Sequence, residues 1–150
     1  MKRVLLFAFS LLLCLSCDQA EKDPDAMVVE RVAAFASAYF NYDFEKALKM
    51  VTPDSEKWLH YAASNVTQED VDLLNAQETA ATAEAEGYER LNDSTLVVTL
   101  TVRDFLTKDS LEGVGRIAEE AQFRMVAIRQ GNSCLVRMEG LPRSERQSRD

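Results

Sequence analysis

Between Ala26 and Asn75 the apolar positions recur every three or four residues, and beyond Asn75 they recur every second one. In AMVVERVAAFASAYFNYD, Val28, Val32, Phe35 and Tyr39 fall at helical spacing, flanked by Val29, Ala36 and Phe40. That stripe is too wide for a solvated helix, so it predicts a first helix lying against a sheet. NYD breaks it, and Asp43 is placed to cap a short second helix whose Phe44, Ala47, Leu48 and Val51 share a face. TPD at 52–54 predicts a third start, with Thr52 as N-cap and Pro53 at the first helical position, where a missing N–H is harmless. That helix carries Trp58, Leu59 and Ala62, and the capping-box pattern TQED after Thr67 predicts a fourth.

The period then changes to two. QETAATAEAEGYERL alternates weakly, and STLVVTLTVRDF alternates strongly, with Leu96, Val98, Leu100 and Val102 on one face. LNDS between them supplies turn residues, predicting one hairpin; EAQFRMVAIR, the turn QGN and SCLVRMEGL predict a second. Helices followed by strands give an α+β class, with N-terminal helices on a mainly antiparallel four-stranded sheet, not alternating βαβ units. RSERQSRD after Pro142 has nothing to bury and is expected to fray.

The N-terminus follows different rules. Lys2 and Arg3 precede the apolar run VLLFAFSLLLCL, which has signal-peptide length and is too short to span a bilayer. LSC then resembles the lipobox of bacterial lipoproteins, with Cys14 where that motif usually has leucine. The resemblance implies cleavage after Ser16 and an acylated Cys17; Cys14 is excluded because bulky Leu13 would occupy the position that needs a small residue. A simple secreted protein cut nearby is the alternative. DQAEKDPDA is charged and aperiodic, hence a flexible tether. The expected organisation is a signal peptide over 1–16, lipidated Cys17 and an acidic tether over 17–26, a single domain over 27–141 and a disordered polar tail over 142–150. The localisation implied is the cell envelope, with membrane and leaflet open.

Charge and cysteine count narrow the chemistry. The 150 residues carry a formal net charge of −8, and loss of Lys2 and Arg3 takes the mature chain to −10. Such a chain is repelled by nucleic acid and by anionic headgroups, so lipid on Cys17 and not electrostatics must attach it to a membrane. Only Cys134 then remains in the domain, which excludes an internal disulfide; its place in the alternating SCLVRM marks a small buried hydrophobe and not a nucleophile. With one histidine and no CxxC the sequence offers no zinc ligand set, and no cofactor motif is expected. GVGRIA at 113–118 matches GxGxxA, but TKDSLE precedes it and a hairpin follows, so it reads as a loop and not a dinucleotide site. A loop there could flank the mouth of a pocket.

The phrase FASAYFNYDFEKALKMVTPDSEKW, with STLVVTLTVRDF and RMVAIRQGNSCLVRMEG, resembles nuclear-transport-factor-two-like proteins over residues 27–141. Small bacterial lipoproteins of uncharacterised role are similar. The resemblance implies a curved sheet wrapped round the long first helix, a cone with a pocket at its open end; a cystatin-like or unrelated α+β sandwich is the alternative. It transfers no catalytic residue, because the fold hosts dehydratases, isomerases, epoxide hydrolases and binding proteins alike. The residues expected at the pocket are Tyr39, Trp58, His60 and Tyr61. His60 is the single imidazole and would serve as a base only if it faced the pocket beside an acid; otherwise it is an exposed helix residue. Asp104 beside Arg103 reads as a surface ion pair.

Three functions remain. Sparse acid/base residues favour a membrane-tethered, non-enzymatic module that binds a small molecule or an envelope protein. A small pocket enzyme of isomerase, dehydratase or hydrolase type is the second. The third is an assembly component, a homodimer formed through the sheet face that carries Val97, Thr99, Thr101, Arg103, Arg124 and Arg137.

Overall fold

The computed structural model describes residues 23–110 and 112–145. The expected signal peptide, Cys17 and residues 146–150 lie outside the described residues. Helix α1 spans Pro24–Phe40, with Asp23 capping it through a bond from the Asp25 N–H at 3.0 Å and Pro24 in the first turn. The helix therefore starts inside the segment expected to be tether. Asp-Pro is a cap followed by a helix-compatible φ, a start signal that overrides its flexible composition.

α1 ends at Asn41, whose side chain donates to Ser37 O (2.7 Å) and Ala81 O (2.9 Å) and accepts from Ala81 N–H (2.9 Å). That pairing fixes the C-terminal end of α1 to the start of the sheet. Tyr42 takes a φ of 61°, which reverses the chain into α2 (Phe44–Leu48), capped by the Asp43 carboxylate at Lys46 N–H as expected. Thr52 does not cap the next helix. Its hydroxyl bonds that of Ser55 (2.6 Å), and a 3-10 turn over Pro53–Ser55 precedes α3 (Glu56–Ser64). Helix α4 (Gln68–Ala76) begins with the expected capping box, Thr67 and Asp70 each bonding the other's backbone N–H.

Strands β1 (Thr82–Arg90), β2 (Thr95–Thr107), β3 (Arg116–Gln130) and β4 (Ser133–Arg137) form one antiparallel sheet in sequence order. The class is the α+β expected. Leu96, Val98, Leu100 and Val102 of β2 are completely buried on the face that meets Val28, Val32, Phe35 and Ala36 of α1. Val51 bridges Val136 in parallel, which ties the segment after α2 to the edge of β4. β3 starts four residues before the expected Glu120 and takes in Arg116, Ile117 and Ala118, leaving the glycines of GVGRIA in the β2–β3 loop.

Asp104 departs from the expected surface pair. Its φ of 53° breaks the alternation of β2, so that Phe105 and Leu106 are both buried after it, and its carbonyl accepts from Gln77 Nε2 at 2.8 Å. Arg103 pairs instead with Glu84 (2.9 Å) and Glu120 (2.8 Å), its cross-strand neighbours on the outer face. Arg124 with Glu89, and Arg137 with Glu139, engage the other two outer-face arginines within the chain. Ser144 bridges Phe123, and Glu145 N–H donates to Gln122 O, so residues 144 and 145 are paired with β3 where fraying was expected.

Asp25, expected in the tether, is buried on the first turn of α1 and bonded by both Arg90 of β1 and Arg129 of β3. The hydrogen bond from Arg90 is the largest influence, opposed by burial and helped by Arg129, and together they hold the carboxyl below its ordinary range. Its contribution to stability is therefore complete above about pH 4, the unfolded-state value, and fades as pH falls through the lowered folded value. Asp25→Asn should flatten the acid limb of a stability profile measured by urea unfolding. An unchanged acid limb would show that Asp25 does not couple to folding.

Candidate functional site

At the C-terminal end of α1 the helices and sheet part to leave a cavity of about 670 Å³. Each wall follows from local structure. The last turn of α1 contributes Tyr39 and Phe40, and the reversal at Tyr42 adds Tyr42 and Phe44. On α3, Trp58, Tyr61, Ala62 and the following Asn65 recur at i, i+3, i+4 and i+7 and face inward together. The far wall is Leu106 at the end of β2, then Lys108, Asp109 and Ser110, with Phe123 of β3 and residues 139–143 closing the rim.

Aromatic packing sets the floor. Phe40, Phe105 and Phe123 form a triangle with centroids 4.7–5.5 Å apart, and Tyr39 meets Phe40 and Phe44 edge-on at 5.1 and 5.7 Å. The turn at Asp104 makes this possible, because it delivers Phe105 to the inner face. Burial, and secondarily the neighbouring Tyr42, raises the Tyr39 hydroxyl well above the ordinary phenol range. Burial and then the charge of Asp70 push Tyr42 up to about 12. Both hydroxyls therefore stay protonated at neutral pH, as hydrogen-bonding groups and not bases.

Behind the far wall is a buried ion pair. Asp70 of α4, whose side chain is 1% exposed, accepts from Lys108 Nζ at 2.5 Å and from Thr67 N–H at 2.8 Å. Its burial favours the neutral acid, but Lys108 and Thr67 outweigh that and hold the carboxyl below its usual range. Lys108 also donates to Asn65 O at 3.3 Å, joining the α3–α4 connection to the β2–β3 loop beside the cavity. The second Asp70 oxygen lies against Gly115, where a Cβ would come within 2.9 Å of it, so this close approach requires glycine.

Of the residues expected at the pocket, Tyr39, Trp58 and Tyr61 line the cavity. His60 does not. It is exposed on α3, where a two-residue step from Trp58 turns it about 200° round the axis, away from the cavity. Tyr42, Phe44, Lys108 and Arg143 were not legible as site residues, since no local pattern announces them and only the tertiary fold brings them together. Cys134 is buried and its thiol is raised by desolvation, partly opposed by Arg31 and Arg129, which agrees with a packing role. Cys17 lies outside the described residues. Among the described residues no three His, Cys, Asp or Glu side chains are grouped to hold a metal, and no helix is long and apolar enough to cross a membrane.

Helices on one face of an antiparallel sheet, with an aromatic cavity at one end, define an α+β pocket domain. The chain matches no protein-family model and no curated protein. Among solved structures it is similar to one described as "Ntf2 like protein involved in plasmid conjugation", at 15% identity and a TM-score of 0.44. The alignment covers 81% of this chain and 49% of the other, so the chain spans about half the length of that structure.

Proposed function

We propose that this is a lipid-anchored binding module whose aromatic cavity holds a small ring-bearing molecule with an acidic end. The cavity carries the reading: its size falls in the range of small-molecule sites, the rings of Tyr39, Phe40, Phe44 and Trp58 line one side, and polar groups stand at its far wall and rim. Charge at the rim favours an acid. Asp109 and Glu139 are each paired within the chain, with Arg116 (3.4 Å) and Arg137 (3.6 Å), and Lys108 is matched by Asp70. Arg143, exposed at the rim, has no carboxylate partner among the described residues. The lipobox-like LSC ending at Cys17 supports the anchor, and the order of helices and strands agrees with a nuclear-transport-factor-two-like cone.

A thermal-shift screen tests the pocket, with ring-bearing carboxylates beside sugars and straight-chain fatty acids. A ligand at a hundred times its Kd should stabilise the protein by about 2.7 kcal/mol. Phe44→Ala should reduce that shift more than Tyr88→Ala, which lies outside the cavity lining. Equal loss in both variants would argue against the cavity as the site. For the anchor, Cys17→Ser should release the protein from the membrane fraction, and retention there would refute lipid attachment.

A further inference from the structure

The end of the domain opposite the cavity gathers the first turn of α1, the β1–β2 turn and the β3–β4 turn. Arg129 N–H donates to Ser94 O at 2.7 Å, joining the two turns, and the pairs from Asp25 to Arg90 and Arg129 seat α1 on them. Three large apolar side chains are left open here: Met27 (50% exposed), Tyr88 (45%) and Leu91 (54%). Beside Met27 a depression of about 530 Å³ runs to Gly131 and Asn132. Two arginines, Arg90 and Arg129, converge on Asp25 at this end, although the mature chain as a whole is strongly acidic.

We propose that this end is a bilayer-contact surface, resting Met27, Tyr88 and Leu91 in the headgroup region of a phospholipid membrane. The inference rests on lipid attachment at Cys17. Five residues lie between Cys17 and Asp23, and the six steps that join them reach about 20 Å at full extension. The start of α1 is therefore held at the membrane, and lipid is present at high effective concentration for any apolar side chain beside it. Tyr88 suits the interface with its half-exposed ring, while its hydroxyl is turned to Asp25. Arg90 is half exposed while bonding Asp25, so its guanidinium can face phosphate and its stem can lie along apolar surface. The 17 residues of α1 rise about 25 Å, which places the cavity on the side away from the bilayer, open to soluble ligand.

The test uses the full-length protein purified from membranes and reconstituted in vesicles of phosphatidylethanolamine and phosphatidylglycerol that carry a phospholipid with a diazirine near its headgroup. After irradiation, adducts are expected on Met27, Tyr88 and Leu91 and not on residues 139–143. The double variant Met27→Glu/Leu91→Glu should stay vesicle-bound through its lipid yet lose the adduct on Tyr88. An anchored protein labelled evenly, labelled at the cavity rim, or labelled on Tyr88 equally in the double variant would overturn the inference. Intact mass separates the two readings: a chain without acyl groups on Cys17 would refute anchoring and this surface together, whereas an acylated chain without adducts here would refute this surface alone.

Discussion

Phe35→Ala should lower the free energy of unfolding by about 3–5 kcal/mol, the cost of removing a large ring from a site that cannot collapse. Phe35 is completely buried at the middle of α1 and belongs to the core that includes Leu96, Val98, Leu100 and Val102 of β2. Its ring also lies 6.0 Å from that of Tyr39, so the void would open towards the cavity wall and loosen it. Urea unfolding should show a lower midpoint with an unchanged slope. Tyr61→Ala, on an exposed part of α3, should cost far less. A loss below about 1 kcal/mol for Phe35→Ala would show that α1 does not seat on the sheet through this ring.

Lys108→Met should destabilise the protein by about 3 kcal/mol at neutral pH, because it leaves the Asp70 carboxylate buried without its cation. The pH dependence identifies the cause. In the native protein the lowered Asp70 pKa makes its contribution complete above about pH 4 and lost as pH falls through the folded value. Without Lys108, burial pulls that pKa upward, so the carboxyl takes up a proton readily as pH falls and the penalty shrinks. The deficit of Lys108→Met should therefore be larger at pH 7 than at pH 4.5, and adding Asp70→Asn should recover part of it at pH 7. Equal deficits at both pH values would mean that Lys108 acts by packing its stem and not by its charge.

The features legible in the sequence are those fixed by near neighbours. The helical stripe of α1, the caps at Asp43 and Thr67 and the alternation of Leu96 to Val102 each depend on residues within a turn or a few strand positions, and all three are present. The reversal at Asp104 was not legible, since the sequence TVRDF continues the alternation on paper while the backbone leaves it at a positive φ. Asp23 and Pro24 carried a start signal, but the charge around them read as tether. The cavity was half legible. Trp58 and Tyr61 share a helical face, whereas His60, between them in sequence, lies across the helix from that face. Tyr42 and Lys108 are 66 positions apart in the chain and meet at one cavity only because Asn41 ties α1 to β1 and Asp70 ties α4 to the β2–β3 loop.

Trp58 is the only tryptophan in the chain and lines the cavity, so its fluorescence reports occupancy without a label. The most direct measurement is a fluorescence titration of the purified protein with aromatic carboxylates and their neutral amides. A saturable change for the carboxylates is expected, weaker for the amides, with the difference between the two reduced in Arg143→Gln. Unaltered Trp58 emission with every ring compound, in a protein whose melting transition is intact, would contradict the assignment of this cavity as a ligand site.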